Sequence, residues 1–585
     1  MIMEERIENG EMLLSIFKKE KYKKAAIFVL DFIVLLSVIA LMGQAFFLLF
    51  SHESIENVDN MNKFFYRLDQ SLLYIKILSI IGIVAWVLST ILKGVKLQGS
   101  FKDICLKVIK EYPELICLAG AFIWTFFSTM HAYYSQMAWN GNEYNNEGFL
   151  TVILYVFIFI LAYSVKRQKS KEAAMLVFLA SAALISFIGS IEVIFNKDLG
   201  FDQTRMVFNN SNHLGYFYAI STVMAMGCFL YAKNLKWSII YGILYTMSLF
   251  GAFQSLSEGS MLAIIFGIIF TIITYSASCR KMKDATNLYF GKIVIILIIF
   301  ATMLFICEVS GLSTFLRQMK SWIGSIIAFL SGEENNSVED GSLGSGRLVL
   351  WITACKIIGK SPLWGRGLDC YNDYGNSVFV LNIKPEWCDM PHNEYLQIGA
   401  NVGIIPLLLY LAAILIIYIR ALRCRKTLTG LQLVLLNSAF AYCVSAFFGN
   451  TFTYTYPFFI MILAMAAPKY SQRANMQCYA GEYLTLQSYQ EGSEAYKAVL
   501  TAREKGTIIN EWTLDLSFDK EIVDSKTINQ EELKNKALEE MIKNLGITKE
   551  EIEKAQQEKD SIKDEVEKES SPKEIVGDVN KVGDK

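Results

Sequence analysis

The sequence predicts an all-α polytopic membrane protein, and three observations carry that prediction. Hydrophobic residues make up 53% of the 585 residues and charged residues only 19%, with a mean hydropathy of +0.34; that leaves too little polar surface to cover a soluble chain of this size. About twelve apolar segments qualify or nearly qualify against the roughly 20 residues a helix needs to cross the hydrocarbon core. Lysine and arginine fall in every second connection between those segments, as expected when basic short loops stay in the cytoplasm.

The segments begin near Ala25, Leu72, Glu114, Phe149, Ala173, His213, Trp237, Ser260, Ile293, Tyr395, Leu431 and Tyr456, the last being the shortest. Lys18, Lys19, Lys21, Lys23 and Lys24 precede the first. Basic groups follow the second (Lys93, Lys96, Lys102), fourth (Lys166, Arg167, Lys169, Lys171), sixth (Lys233, Lys236), eighth (Arg280, Lys281, Lys283) and tenth (Arg420, Arg423, Arg425, Lys426). The alternate connections differ: 51–70 is mostly acidic and polar, 132–148 has no lysine or arginine, and 450–455 is uncharged. The expected organisation is a cytoplasmic N-terminus over 1–24, helices 1–9 over 25–309, an extracytoplasmic loop over 310–393, helices 10–12 over 394–468, and a charged, helical or disordered cytoplasmic tail over 469–585. The first apolar run is far longer than a signal-peptide core, so no cleavable leader is expected.

The net charge of −1 hides an uneven distribution of basic clusters and an acidic tail and says nothing about nucleic acid, and no basic patch interleaved with aromatics suggests nucleic acid as a partner. Eleven cysteines are scattered without a CxxC pair or metal-finger spacing. The tail carries many opposite charges at i,i+4, which suits a solvated appendage or an arm for a cytoplasmic protein partner.

Polar chemistry concentrates in two outward stretches. RMVFNNSNHLG, at the start of the sixth segment, offers Arg205 for phosphate oxygens and Asn209, Asn210, Asn212 and His213 as hydrogen-bonding groups for sugars or phosphates; helix capping explains the asparagines equally well. The large loop opens with SGLSTFLRQMKSWIGSIIAFLSG, an amphipathic segment suited to the membrane interface. Arg347 then starts an apolar helix, and a guanidinium beside helix amides makes an anion site. PLWGRG supplies a tight turn and Arg366, and PHNEY closes the loop with His392, Asn393 and Glu394. His392 is a candidate general base or hydrogen-bonding group for an acceptor hydroxyl; with four histidines in the chain and none close to it in sequence, a histidine metal site is unsupported. Cys370 and Cys388 are placed outside and could pair. Among the spans, Glu192 and the Ser255, Ser257, Glu258 cluster lie toward outer ends, where interfacial placement competes with a cavity-facing role.

The order FNNSNHLGYF, SLSEGS, SGRLVLW, PLWGRG, HNEYLQ and ANVGIIP resembles the bacterial O-antigen ligase and O-antigen polymerase family over about Arg205 to Arg420. The resemblance implies a GT-C-like membrane glycosyltransferase of the cell inner membrane, needing no metal or cofactor, that moves a glycan from an undecaprenyl-pyrophosphate-linked saccharide donor to a glycan or lipid-glycan acceptor. It further implies that Arg347 engages the donor pyrophosphate and His392 serves acceptor activation. The residue chemistry read above adds Glu394 as an expected nearby carboxylate and Arg205, Asn209, Asn212, His213, Glu258, Arg366 and Asn393 as expected substrate-binding groups. Two positions depart from the family pattern, Glu258 where an arginine is frequent and Asn401 where a glutamate is frequent. Competing readings are a lipid-linked oligosaccharide flippase, which needs a polar passage between both faces, and an envelope organiser acting through the tail.

Overall fold

The computed structural model describes residues 2–50, 60–94, 102, 108–109, 111–195, 204–208, 210–232, 234–279, 286–331, 347–371, 390–423 and 428–468. Asn209, Cys388 with its expected pairing to Cys370, and the tail from 469 onward lie outside the described residues.

Every long regular element among them is a helix. In chain order these are α1 (Ile2–Met42), α2 (Gln44–Phe50), α3 (Asn60–Lys93), α4 (Pro113–Met130), α5 (Ser135–Asn140), α6 (Phe149–Ser164), α7 (Gln168–Phe195), α8 (Ser211–Tyr231), α9 (Leu235–Gln254), α10 (Glu258–Cys279), α11 (Thr286–Val309), α12 (Phe315–Ser331), α13 (Arg347–Lys360), α14 (Glu394–Val402), α15 (Ile404–Arg423), α16 (Gly430–Ser445) and α17 (Tyr456–Ala466). Eight described helices are long and apolar enough to cross a membrane, namely α1, α3, α4, α7, α8, α10, α11 and α15; α6, α16 and α17 are shorter apolar helices. The chain is thus a polytopic α-helical membrane protein. Each of the twelve expected segments starts within a helix.

The bundle is built around α8. This helix is apolar on every side, and a helix of that kind is stable only when buried all round; α8 is buried along its length against α9, α10 and α16. Gly215 permits a close approach, since a Cβ there would lie 2.5 Å from that of Ser257 on the turn before α10. At the other end of α8, Lys292 of α11 donates to the carbonyls of Phe229 (3.2 Å), Leu230 (3.4 Å) and Ala232. Tyr275 donates to Leu230 as well, at 3.1 Å. Lysine and tyrosine together satisfy carbonyls that the helix terminus leaves open.

Two helix pairs flank this centre. In α1 and α3, Lys93 meets Asp31 at 2.7 Å and Ser89 donates to the same carboxylate at 2.6 Å. At the opposite end of α3, roughly 40 Å away by helical rise, Arg67 donates to the Met206 carbonyl at 3.1 Å. In α4 and α15, Arg420 meets Glu114 at 2.9 Å and the Glu111 carbonyl at 2.9 Å.

The segment expected to run on from Tyr395 as one span is two helices. Gly403 sits at φ +95°, where an added Cβ would overlap the Leu363 carbonyl. The turn 361–367 wedges against this break: Ile404 N donates to Pro362 O (2.7 Å), Arg366 N to Ala400 O (3.0 Å) and Gly367 N to Asn401 O (2.8 Å). The expected amphipathic stretch is α12, which leaves Leu316, Ile323 and Ile327 exposed.

Candidate active site

Two of the predicted stretches, far apart in sequence, meet beside the start of α8. Asn210 caps the helix by accepting from Asn212 N at 2.8 Å, so capping is the role of that side chain. Asn212 then accepts from the Ser257 hydroxyl at 3.0 Å, which joins the asparagine-rich turn to the serine-rich one. His213 follows on the first turn, 7% exposed and held between the rings of Phe452 (4.6 Å) and Tyr454 (6.0 Å). Its Nδ1 has no hydrogen-bond partner among the described residues. His392 arrives from the loop before α14 with φ +49°, an unusual backbone for a residue with a Cβ. Its Nδ1 lies 3.4 Å from Nδ2 of Asn450, whose own Oδ1 is buried without a partner.

These groups line a cavity of about 230 Å³, completed by Tyr144, Asn145, Tyr216, Met390 and Gly449. The two histidines are close enough to act on each other electrostatically. Arg347, the first residue of α13, acts in the same way on Tyr216 in the cavity wall, and Arg67 acts on Tyr454. The cavity therefore offers imidazole, amide and aromatic groups, with the Arg67 and Arg347 guanidinium groups of α3 and α13 near enough to act electrostatically on its wall. Buried polar atoms without partners are costly in a protein interior, and here two of them border the same space. That pattern fits a site completed by a hydroxyl-bearing ligand.

The other predicted residues lie elsewhere. Asn393 caps α14 by accepting from Leu396 N at 3.1 Å. Glu394 is buried, and both its oxygens are engaged, by Tyr410 at 2.7 Å and Tyr442 at 2.7 Å. Its backbone N donates to Ala446 O at 2.8 Å. The carboxylate ties α14 to α15 and α16, and it does not line the histidine cavity. Glu258 opens α10 and is half-buried outside the cavity lining. Arg366 binds α14 through its backbone, and Arg205 is exposed on the turn before α8. Among the described residues no three histidines, cysteines or acids gather as a metal-binding group.

A second space adjoins the first. An apolar chamber of about 1490 Å³ runs between the α1/α3 and α4/α15 pairs, backed by α6, α7 and α17. A thin partition separates the two: Asn145 faces the cavity and Glu147 the chamber, Asn450 the cavity and Thr451 the chamber. Asp369 holds that partition. Its carboxylate accepts from Asn142 N (2.7 Å), Glu147 N (3.2 Å) and Asn145 Nδ2 (3.1 Å). Gln397 adds a bond from Thr451 N at 3.0 Å. Burial pushes the Glu147 carboxyl well above the usual range, the Tyr155 hydroxyl opposes that shift, and the Asp369 charge adds to it.

Residues 243–411 match the O-antigen ligase family. The chain carries an O-antigen ligase domain. It is a multi-pass membrane enzyme of polysaccharide assembly. The matched residues contribute Met390 and His392 to the cavity lining, while Asn212, His213 and Asn450 come from either side of them, so the cavity needs more of the chain than the matched residues. Comparison with curated proteins found no match.

Several residues of the candidate site are not singled out by sequence reasoning. Asn450 lies in an uncharged connection, and Tyr216 reads as one more aromatic in an apolar run. Asp369 is a lone acid after a glycine-rich turn. The available signals were weak: FGNTFTY clusters an amide and hydroxyls at a span boundary, and RGLDC places an acid where the chain must turn.

Proposed function

We propose that the cavity between His213 and His392 is where a glycan passes from an undecaprenyl-pyrophosphate carrier to an acceptor hydroxyl. The supporting observation is the convergence of His392, His213 and Asn450 on one cavity, with the Arg347 guanidinium acting on its wall. In this reading the acceptor oxygen attacks the anomeric carbon of the donor sugar, and a C–O bond forms as the bond to the carrier phosphate breaks. The electron pair leaves with the pyrophosphate. His392 takes the acceptor proton, Asn450 orients the imidazole, and Arg347 offsets charge developing on the departing group. Arg205 and Arg67 stand on the same side as further cations, and no metal takes part.

The membrane placement belongs to the same proposal. Twelve spans in a GT-C-like arrangement, with both termini cytoplasmic, put His392 on the extracytoplasmic face, away from the basic end marked by Lys93, Lys166 and Arg167. The flippase reading requires a polar route between both faces; the long chamber is lined mainly by apolar side chains and offers an oligosaccharide little to bind. The deciding experiment is reconstitution with a lipid-linked oligosaccharide and candidate acceptors, followed by mass analysis. Growth of the glycan on the carrier identifies a polymerase, and transfer to a different acceptor identifies a ligase. Absence of any transfer with every acceptor rejects the proposal.

A further inference from the structure

The chamber beside the histidine cavity has a charge layout that does not suit the lipid-linked donor. At the end near the cavity its polar lining includes Glu147, Gln397, Asn401 and Thr451, no lysine or arginine among the described residues lines it there, and the Asp369 carboxylate stands behind Glu147. The far end is lined by Lys93, Lys166, Arg167 and Lys171 against a single acid, Asp31, which Lys93 and Ser89 already occupy. Arg167 is close enough to act on Asp31, so these groups share one mouth. Lys166 and Arg167 are exposed there.

The space between the two ends follows α6, whose sixteen residues rise about 24 Å, most of the roughly 30 Å hydrocarbon thickness. Its volume exceeds the upper range of about 1,000 Å³ for pockets that take drug-sized ligands. Phe28 and Phe32 of α1 line the chamber and are 65% and 49% exposed.

We propose that this chamber is a binding site for an anionic phospholipid of the leaflet at the basic end, its phosphate at Lys166 and Arg167 and its acyl chains along α6. Charge complementarity selects that occupant. A phosphate at the opposite end would face acids and amides, whereas basic groups near a membrane surface attract anionic lipid by about 1 kcal/mol each, equivalent to about fivefold per charge. The inference is independent of the transfer reaction proposed above.

The test uses the full chain in nanodiscs of equal parts phosphatidylglycerol and phosphatidylcholine, released for native mass spectrometry. The expected result is a phosphatidylglycerol adduct in excess over phosphatidylcholine. The paired substitution Lys166→Gln and Arg167→Gln lowers it by about tenfold or more, and Val156→Trp, which fills the chamber wall, removes it. Both cations are exposed, so the charge variant keeps its packing, and an unchanged melting temperature in detergent establishes that. Equal retention of the two lipids, undiminished phosphatidylglycerol in the charge variant, or a polyprenyl phosphate as the retained lipid overturns the proposal.

Discussion

At the scale of single residues, the cavity divides its side chains between ligand contact and support. Asn210 and Asn393 spend their side chains on helix amides, while His213 Nδ1 and Asn450 Oδ1 have no hydrogen-bond partner among the described residues. Replacing Asn450 by alanine is expected to lower transfer by about tenfold through a loosely held imidazole, and His392→Ala by about 10² to 10⁴, the range for a positioned acid or base; product formation by reconstituted protein reads both. Glu394→Gln is a contrasting case. It weakens the bonds to Tyr410 and Tyr442, so a lower melting temperature is expected along with any loss of activity. Glu147 sets a pH dependence. Its carboxyl is raised in the folded protein, so the folded state holds the proton more tightly than the unfolded one. The resulting stabilisation is complete below about pH 4.3, the unfolded value, and is lost as pH rises toward the elevated folded value. Thermal unfolding of wild type against Glu147→Gln across pH should show the wild type losing more stability over that window than the variant.

At the scale of elements, two short turns decide where His392 stands. Asp369 binds the 142–147 loop through three hydrogen bonds, and Asp369→Ala is expected to cost roughly 2 to 4 kcal/mol, since bonds to a charged acceptor are worth about 1.5–3 each and do not simply add. Asp369 sits at φ +58°, a backbone that asparagine tolerates, so Asp369→Asn should recover part of that loss in a denaturation series. Gly403→Ala forces a Cβ into the Leu363 carbonyl at a left-handed backbone and should sharply reduce folded yield. Gly359→Ala, with open space around it, should be neutral or slightly stabilising. The helices themselves were legible in the sequence because burial in lipid demands length and apolarity, and both are local properties. The break at Gly403 was not, because it depends on a turn about forty residues earlier in the chain fitting against it. For the same reason His392 and Arg347 stood out as polar groups in an apolar chain. Asn450 did not, since its meaning comes from the 3.4 Å contact with His392 across the fold. Glu394 shares a motif with His392, yet helical geometry turns it toward Tyr410 and Tyr442.

At the scale of the whole molecule, a buried central helix carries a polar tip into a cavity beside a long apolar chamber. The proposed orientation makes a direct prediction. Single cysteines introduced at exposed Tyr133 and at exposed Lys166 should react with a membrane-impermeant thiol reagent from opposite sides, Tyr133 from outside intact cells and Lys166 only after permeabilisation. Reaction of both from the same side contradicts the twelve-span topology. The most direct test of the central claim is transfer by purified, reconstituted protein supplied with an undecaprenyl-pyrophosphate-linked oligosaccharide, comparing wild type with His392→Ala and Arg347→Ala at matched folded yield. The account predicts product from the wild type and at least a hundredfold loss in each variant; wild-type rates in both variants would contradict it.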